Sequence, residues 1–502
     1  MGVIAKQSIK GALANYLGVA IGFATTFFVL TDCLTAEEIG LTRVMVDFAT
    51  LFSSLAQLGT SASVVRFFPY FRDDETHRHH GLFGLSLLIP LVGFTLFTGV
   101  FFLFRTTLLS AYIEKSPLLV DYAYLLIPLT FFTLYTSVLE TNASVLLRIA
   151  VPKAVREVGI RLFNLISYLL YGHGIIDFHT FVLLFCLSYA LAMLLDLVYL
   201  IALGHVSLRI DFRILHEHGR DLLRYTLFMT ATVLASIVPL INTLFLGSKE
   251  GLALTGVYTI AIYIANIVEV PYRSLGSVSN PLVSAAVRDD DWRRVSELSR
   301  QVSLHQFLVA SVIFLFIAIN LQPLFRVIPH GAEYVGGIGV VLIMGVAKIV
   351  NCSCSVGVSV LNYSRRYAMS LPFIALLTVL AIVFNRLLIP LWGIYGSAAA
   401  TLLSYLFYYL PLLLYVRKTT GVSIFDRSMW KVVVLVAMLG LLGIGWHAVL
   451  TPLLPSTTLW VVANGIVSSL LIAAVGVLLL RHLSVSPQVD SLLSRFLPLL
   501  KK

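Results

Sequence analysis

Long apolar runs are the feature of this sequence that most constrains its fold. They recur along the whole chain and are each about 20 residues long, the length of helix needed to cross roughly 30 Å of hydrocarbon. The 502-residue chain is only 12% charged, whereas a soluble domain carries roughly 25% charged residues. The runs are continuous and lack the alternation of barrel strands. The sequence therefore predicts an all-α polytopic membrane protein.

We predict fourteen transmembrane helices, an even number that places both termini on one side of the membrane. Their predicted ranges are 11–33, 40–63, 81–104, 120–146, 157–175, 179–204, 223–247, 252–276, 303–324, 337–362, 370–389, 395–416, 431–451 and 458–480. About 28 of the 35 Lys and Arg residues lie on the side of the N-terminus, which the positive-inside rule identifies as cytoplasmic. This topology explains the net charge of +10, so we expect no nucleic-acid partner. The first apolar run is too long for a cleavable signal peptide, and we expect none.

The order of the predicted helices indicates two six-helix lobes followed by two additional helices. In each lobe the second helix follows a polar loop and a glycine, Gly40 or Gly256, and carries polar residues. Parallel repeats of this kind are common in transporters and place the substrate path between the halves. The predicted organisation is an N-terminal lobe at 1–204, a cytoplasmic interfacial linker at 205–222, a C-terminal lobe at 223–416, and two further helices with a cytoplasmic tail at 417–502.

Ionisable residues inside the spans are the first candidates for a functional site, because charge is costly in hydrocarbon. Lys348 lies near the middle of the tenth span and has no acidic residue within one turn. Either it lines a water-filled cavity or meets an anionic ligand, or it pairs with a carboxylate on another helix. Arg43 and Asp47 are spaced four residues apart, as are Glu269 and Arg273. Each of these pairs either neutralises itself along one helix face or lines a central cavity.

Two groups of site residues follow from this reasoning, and neither group includes a catalytic residue. Arginine forks and lysine ammonium groups suit phosphate oxygens, so the predicted substrate-binding residues are Arg43, Lys348, Arg273, Arg66 and Asn351. The buried acids either bind a coupling proton or sodium ion or serve as counter-ions, and they are Asp47, Glu140, Asp196 and Glu269.

Neither the cysteines nor the histidines form a pattern typical of a metal site, and we expect no metal and no cofactor. The cysteines are interpreted as small apolar residues of the spans, and they are Cys33, Cys186, Cys352 and Cys354. The histidine-rich run at 77–80 is predicted to lie in a solvated cytoplasmic loop.

Three segments resemble a known family. The opening helix GALANYLGVAIGFATTFFVL, the segment AQLGTSASVVRFFPYF and the connector SNPLVSAAVRDDDWRRVSELSRQVSLHQF are similar to those of polysaccharide repeat-unit flippases, the Wzx-type O-antigen transporters. These belong to the multidrug/oligosaccharidyl-lipid/polysaccharide exporter superfamily, which includes the MATE drug exporters and the lipid II flippases. The resemblance covers essentially the whole chain, and its motifs are loose.

The resemblance implies two six-helix lobes around a central cationic cavity that opens alternately to either side. The implied cargo is an oligosaccharide linked to undecaprenyl pyrophosphate, which moves from the cytoplasmic to the periplasmic leaflet of a bacterial inner membrane. Implied partners are this substrate, membrane lipids, and a polysaccharide polymerase and chain-length regulator. The positions that match the expected cationic cavity are Arg43, Lys348 and Arg273.

Two other functions stay open at this point. A cation-coupled multidrug exporter of the same fold would use carboxylates as its main cavity charges. A polyprenol-dependent glycosyltransferase or polymerase would generally need a sizeable extracytoplasmic loop that carries catalytic residues, and the predicted external loops are short. We therefore expect a transporter rather than an enzyme.

Overall fold

The fold was taken from a computed structural model, which describes residues 21–71, 73, 79–204, 207, 212–232, 234–450 and 458–483. In these ranges the regular secondary structure is helical and contains no strand. Within these described ranges, ten helices are long and apolar enough to cross a membrane, and a shorter apolar helix covers Ile21–Cys33. The predicted all-α polytopic fold class is thereby confirmed.

The chain divides into two compact units, of which the first ends at Thr259 and the second begins at Ile260. The longer described helices of the first unit are α1 (Ile21–Cys33), α2 (Ala36–Ala56), α3 (Thr60–Phe71), α4 (Leu82–Ile113), α5 (Leu126–Val145), α6 (Ile160–Gly172), α7 (Phe178–Ala202), α8 (Phe212–Thr232), α9 (Leu234–Lys249) and the first half of α10 (Leu252–Asn266). The lobe boundaries given above stay a prediction.

The acidic turn before α2 is a helix cap. The Thr35 hydroxyl accepts a hydrogen bond from the Glu38 backbone N–H at 3.3 Å, and the Glu38 carboxylate accepts one from the Thr35 N–H at 2.8 Å. This reciprocal capping box satisfies two backbone donors that have no partner within the helix. The Tyr171 hydroxyl of α6 donates to the same Glu38 side chain at 2.6 Å. The cap therefore fixes both the start of α2 and its contact with α6.

The two glycines that the sequence highlights, Gly40 and Gly256, lie where α2 and α10 meet. A Cβ atom on Gly40 would lie 2.0 Å from the carbonyl oxygen of Leu252, and one on Gly256 would lie 1.9 Å from that of Ala36. Only glycine permits such a close approach of two helix backbones. The pair of glycines thus sets the packing distance of these helices.

The second unit starts within α10 and continues through a 3₁₀ turn at Ile267–Glu269. Its longer described helices are α11 (Val270–Arg288), α12 (Trp292–Val327), α13 (Ile338–Tyr363), α14 (Ser370–Thr420), α15 (Ser428–Leu450) and α16 (Thr458–Leu483).

The segment α14 is a helical hairpin rather than one straight rod. Its backbone breaks at Gly393, where φ is 52° and ψ is −127°, a left-handed region that glycine tolerates. The Ser397 hydroxyl donates to the Asn385 side-chain oxygen at 3.2 Å, although residues twelve apart in a straight helix lie about 18 Å apart. The two limbs therefore run back along one another, in agreement with the spans predicted at 370–389 and 395–416.

One prediction about the cytoplasmic loops was wrong. His79 is not a solvated loop residue, because only 6% of it is exposed. Its ring lies 5.1 Å from that of Phe68, and its Nδ1 atom accepts a hydrogen bond from the Asp73 backbone N–H at 3.2 Å. His77 and Arg78 lie outside the described residues. Ring packing against α3 buries the imidazole.

Candidate functional site

An ion pair joins two elements of the second unit. The Lys348 Nζ atom of α13 lies 3.1 Å from the Oε2 atom of Glu269. Glu269 is the last residue of the 3₁₀ turn before α11. The exposed fractions of the two side chains are only 13% and 10%. Of the environments that the sequence left open for Lys348, the structure shows a carboxylate partner on another element.

One amide group and one hydroxyl group extend this pair into a network. The Asn351 amide donates to Glu269 Oε1 at 2.8 Å, and the Tyr409 hydroxyl donates to Asn351 Oδ1 at 2.6 Å. Both oxygens of Glu269 are therefore engaged, one by a cation and one by an amide. The predicted alternative partner of Glu269 is Arg273, whose side chain lies outside the described residues. We refer to Lys348, Glu269, Asn351 and Tyr409 as the lysine network.

The first unit also contains a buried ion pair, formed within a single helix. The Arg43 Nε atom lies 2.8 Å from Asp47 Oδ2, one turn later in α2. The Thr243 hydroxyl of α9 donates to the same oxygen. The Asp47 side chain is 3% exposed and that of Arg43 is 24% exposed. The pair neutralises itself along the helix, as the four-residue spacing allows, and also joins α2 to α9.

An open pocket of about 420 Å³ lies between α3, α5 and α8 of the first unit. Its polar lining consists of Ser61, Arg66, Thr141, Ser144 and Tyr225. The Arg66 guanidinium is exposed and lies over the Tyr225 ring, 4.2 Å from its centroid. We call this group of residues the Arg66 pocket.

A row of hydroxyl groups follows the wall of the Arg66 pocket. The Ser61 hydroxyl is hydrogen-bonded to that of Thr141 at 2.7 Å and also accepts from the Gln57 amide. Ser137, Thr141 and Ser144 lie four and three residues apart on α5, a spacing that places them on one helix face. That periodicity was the signal that sequence reasoning missed. Together with Arg66, the row can bind an anionic group that is attached to a hydroxyl-rich molecule.

The remaining predicted acids of the first unit lie near each other on α5 and α7. The Arg156 Nη1 atom lies 2.7 Å from Glu140 Oε2. Asp196 on α7 is fully buried, and Glu140 and Arg156 are close enough to interact with it electrostatically. Neither carboxylate oxygen of Asp196 has a hydrogen-bond partner among the residues that the structure describes.

The sequence-predicted site residues thus fall into four separate groups. The structure brings Lys348, Asn351 and Glu269 together in the second unit. In the first unit it pairs Arg43 with Asp47, places Arg66 in a polar pocket, and places Glu140 near Asp196. Thr243, Tyr225 and Tyr409 were missed, because each is far in sequence from the residue it contacts.

A family model described as polysaccharide biosynthesis protein matches residues 4–287, which is more than half of the 502-residue chain. The chain belongs to the polysaccharide biosynthesis protein family. The family resemblance inferred from the sequence is thereby confirmed. A search of curated proteins gave no match.

Solved structures of membrane transporters share the fold of this family member. Lipid II flippase MurJ in an inward closed conformation is 12% identical, with a TM-score of 0.71 over 93% of this chain and 98% of that chain. An inward-facing multidrug resistance MATE family transporter is 15% identical, with a TM-score of 0.59 over 81% and 94%. A MOP superfamily transporter from Pyrococcus furiosus is 13% identical, with a TM-score of 0.54 over 84% and 96%. At these identities the similarity shows a common fold.

Proposed function

We propose that this protein is a flippase for a polyprenyl-pyrophosphate-linked oligosaccharide repeat unit. It moves the unit from the cytoplasmic to the periplasmic leaflet of a bacterial inner membrane, for the synthesis of O-antigen, capsule or exopolysaccharide. Both termini are cytoplasmic in this proposal, and a polymerase and chain-length regulator act with it. Membership of the polysaccharide biosynthesis family and the transporter fold support the proposal.

The Arg66 pocket is the observation that carries this proposal. A guanidinium binds phosphate oxygens through two parallel hydrogen bonds. The adjacent hydroxyl row of Ser61, Thr141 and Ser144 suits the hydroxyl groups of a sugar. The pocket is open, so a headgroup can enter it while the lipid tail stays in the bilayer. Charge and hydroxyl groups side by side match a molecule in which a phosphate joins a sugar.

The other predicted substrate contacts remain part of the proposal, although three of them already contact a carboxylate. Lys348 and Asn351 both contact Glu269, so they bind the cargo only if it displaces that carboxylate. Arg43 is engaged by Asp47 in the same way. Arg273 is the remaining proposed contact. Arg66 differs from these residues. It is exposed, so a cargo phosphate can approach its guanidinium directly, without displacing a carboxylate.

The test uses purified protein in liposomes that contain a fluorescent undecaprenyl-pyrophosphate disaccharide. Flipping is measured as the fraction of probe that membrane-impermeant dithionite quenches over time. Loss of a charge-assisted hydrogen bond costs about 1.5–3 kcal/mol, so we expect Arg66→Ala to slow flipping about tenfold or more. Arg66→Lys keeps the charge without the fork and is expected to be intermediate.

Arg293→Ala is the matched control, because this side chain is 91% exposed and pairs with Glu297 on the same helix. It is expected to flip the probe at the wild-type rate. An Arg66→Ala variant as fast as this control would refute the role of the pocket.

A cation-coupled multidrug exporter is the second candidate, and the buried carboxylate of Asp196 favours it. Carboxylates inside a membrane protein are typical of cation and proton pathways. In the same liposomes, wild-type protein that transports ethidium and does not flip the lipid probe would establish this candidate in place of the flippase.

A further inference from the structure

Asp196 is a buried acid that does not line the Arg66 pocket. It lies on α7, its exposed fraction is 0%, and neither of its oxygens accepts a hydrogen bond within the described part of the chain. A carboxylate that is ionised, buried and without hydrogen bonds is very unfavourable, whereas its protonated form is much less so. The position therefore calls for a bound proton or cation.

The neighbouring charges do not neutralise Asp196. The elements packed against α7 are α5, α6 and the helical segment 150–159 between them, and their charged residues are Glu140, Lys153, Arg156, Glu157 and Arg161. Of these, Glu140 and Arg156 interact with Asp196 electrostatically, and they already form a neutral pair with each other at 2.7 Å. Glu157 pairs with Arg161 at 3.2 Å. Among the three interacting residues Asp196, Glu140 and Arg156, one negative charge is therefore in excess whenever Asp196 is ionised.

We propose that Asp196 is a proton-binding site, and that this protein binds and releases a proton there as it transports its cargo. The proton-binding site is inferred from the geometry around α7. Its coupling to transport rests on the proposed flippase function.

Exposure indicates the route by which the proton reaches water. The exposed fraction falls from 55% for the Arg156 side chain to 15% for Glu140 and 0% for Asp196. When the O–H bond of Asp196 breaks, its proton passes to the Glu140 carboxylate, or to water beside it. The Arg156 guanidinium stays protonated throughout and exchanges its contact with Glu140 for one with Asp196. When the proton passes to Glu140, one carboxyl proton is still shared by Asp196 and Glu140, and the net charge of these two residues and Arg156 stays zero.

The proton site is tested by infrared spectroscopy on full-length protein in liposomes, titrated from acid to alkaline pH. We expect the carbonyl stretching band of a protonated carboxyl group at neutral pH, and we expect Asp196→Asn to remove it. Asparagine matches the shape of the protonated acid, so this variant should fold, and its melting temperature checks that it does. A missing band in the wild type, or a band that persists in Asp196→Asn, would overturn the assignment.

Asp177→Asn is the matched control on the same helix. Asp177 is exposed and caps α7, and hydrogen bonds from the Thr180 side chain and backbone lower the pKa of its carboxyl group. It is therefore ionised at neutral pH and contributes no such band, and asparagine also serves as an N-cap. We expect the spectrum of this variant at neutral pH to match that of the wild type.

A second measurement tests coupling and separates the two proposals. With an imposed pH gradient across the liposome membrane, we expect the flipping rate of the wild type to change and that of Asp196→Asn not to change. A flipping rate that depends on a sodium gradient instead of the pH gradient would refute coupling to a proton. If the infrared band behaves as expected and the lipid probe is never flipped, then the proton site stands and the proposed function fails.

Discussion

The two units each bury an ion pair, and the two pairs are built differently. In the first unit Arg43 and Asp47 lie one turn apart on α2, and Thr243 adds a hydrogen bond from α9. In the second unit Lys348 and Glu269 lie 79 positions apart, and Asn351 and Tyr409 complete a network across α13, α14 and the turn before α11.

This difference separates a local charge pair from a tertiary one. The α2 pair exists as soon as the helix forms, because residues four apart are neighbours on a helix face. The lysine network exists only when three elements pack, so its loss affects the fold as well as the site. We therefore expect variants of the second pair to cost more stability than variants of the first. The following predictions test that order.

The largest effect is expected for Lys348→Met. The variant leaves the Glu269 carboxylate buried without its cation, and breaking a buried pair in this way typically costs about 3–5 kcal/mol. The measurement is the midpoint of thermal unfolding of the protein in detergent. The double variant Lys348→Met/Glu269→Gln is expected to recover most of the loss, because no buried charge remains. A Lys348→Met variant with the same melting temperature as the wild type would refute a structural role for the pair.

The same double variant tests whether Lys348 also contacts the cargo. If its stability is restored, any loss of lipid flipping in liposomes reports on the missing charged groups rather than on unfolding. We expect flipping to stay impaired. Wild-type flipping by the double variant would remove Lys348 from the proposed substrate contacts.

A smaller effect is expected for Arg43→Met. Asp47 keeps its hydrogen bond from Thr243, and the arginine is 24% exposed against 13% for Lys348. We expect a loss of about 1–3 kcal/mol, the usual cost of an incompletely satisfied buried group, by the same unfolding measurement. Arg43→Met/Asp47→Asn is the matched control and should approach wild-type stability. A cost equal to that of Lys348→Met would invalidate the distinction between a local and a tertiary pair.

The smallest effect is expected for Tyr409→Phe, which removes only the hydroxyl that donates to Asn351. A net hydrogen bond contributes about 1 kcal/mol, so the melting midpoint should fall slightly while the Lys348–Glu269 contact remains. Tyr367→Phe, at a residue that is 57% exposed, is the control and should not change the midpoint. A loss as large as that of Lys348→Met would mean that Tyr409 holds the whole network in place.

The sequence predicted the parts of the site that depend on local spacing. The pair of Arg43 and Asp47 follows from four-residue spacing, and the break at Gly393 falls between two predicted spans. The sequence left a carboxylate partner for Lys348 open, but it could not select Glu269, because Lys348 has no acid within one turn. The contact of Arg66 with Tyr225 was missed for the same reason.

By itself the sequence determined that this chain is a polytopic helical membrane protein. It could do so because the length of apolar runs and the placement of basic residues are properties of single segments in a bilayer. Only the tertiary structure decided which buried charges are neutralised and which are not. Lys348 has a carboxylate beside it, while Asp196 lacks a hydrogen-bonding group among the described residues. That outcome depends on which helix faces meet, and spacing along one chain does not specify it.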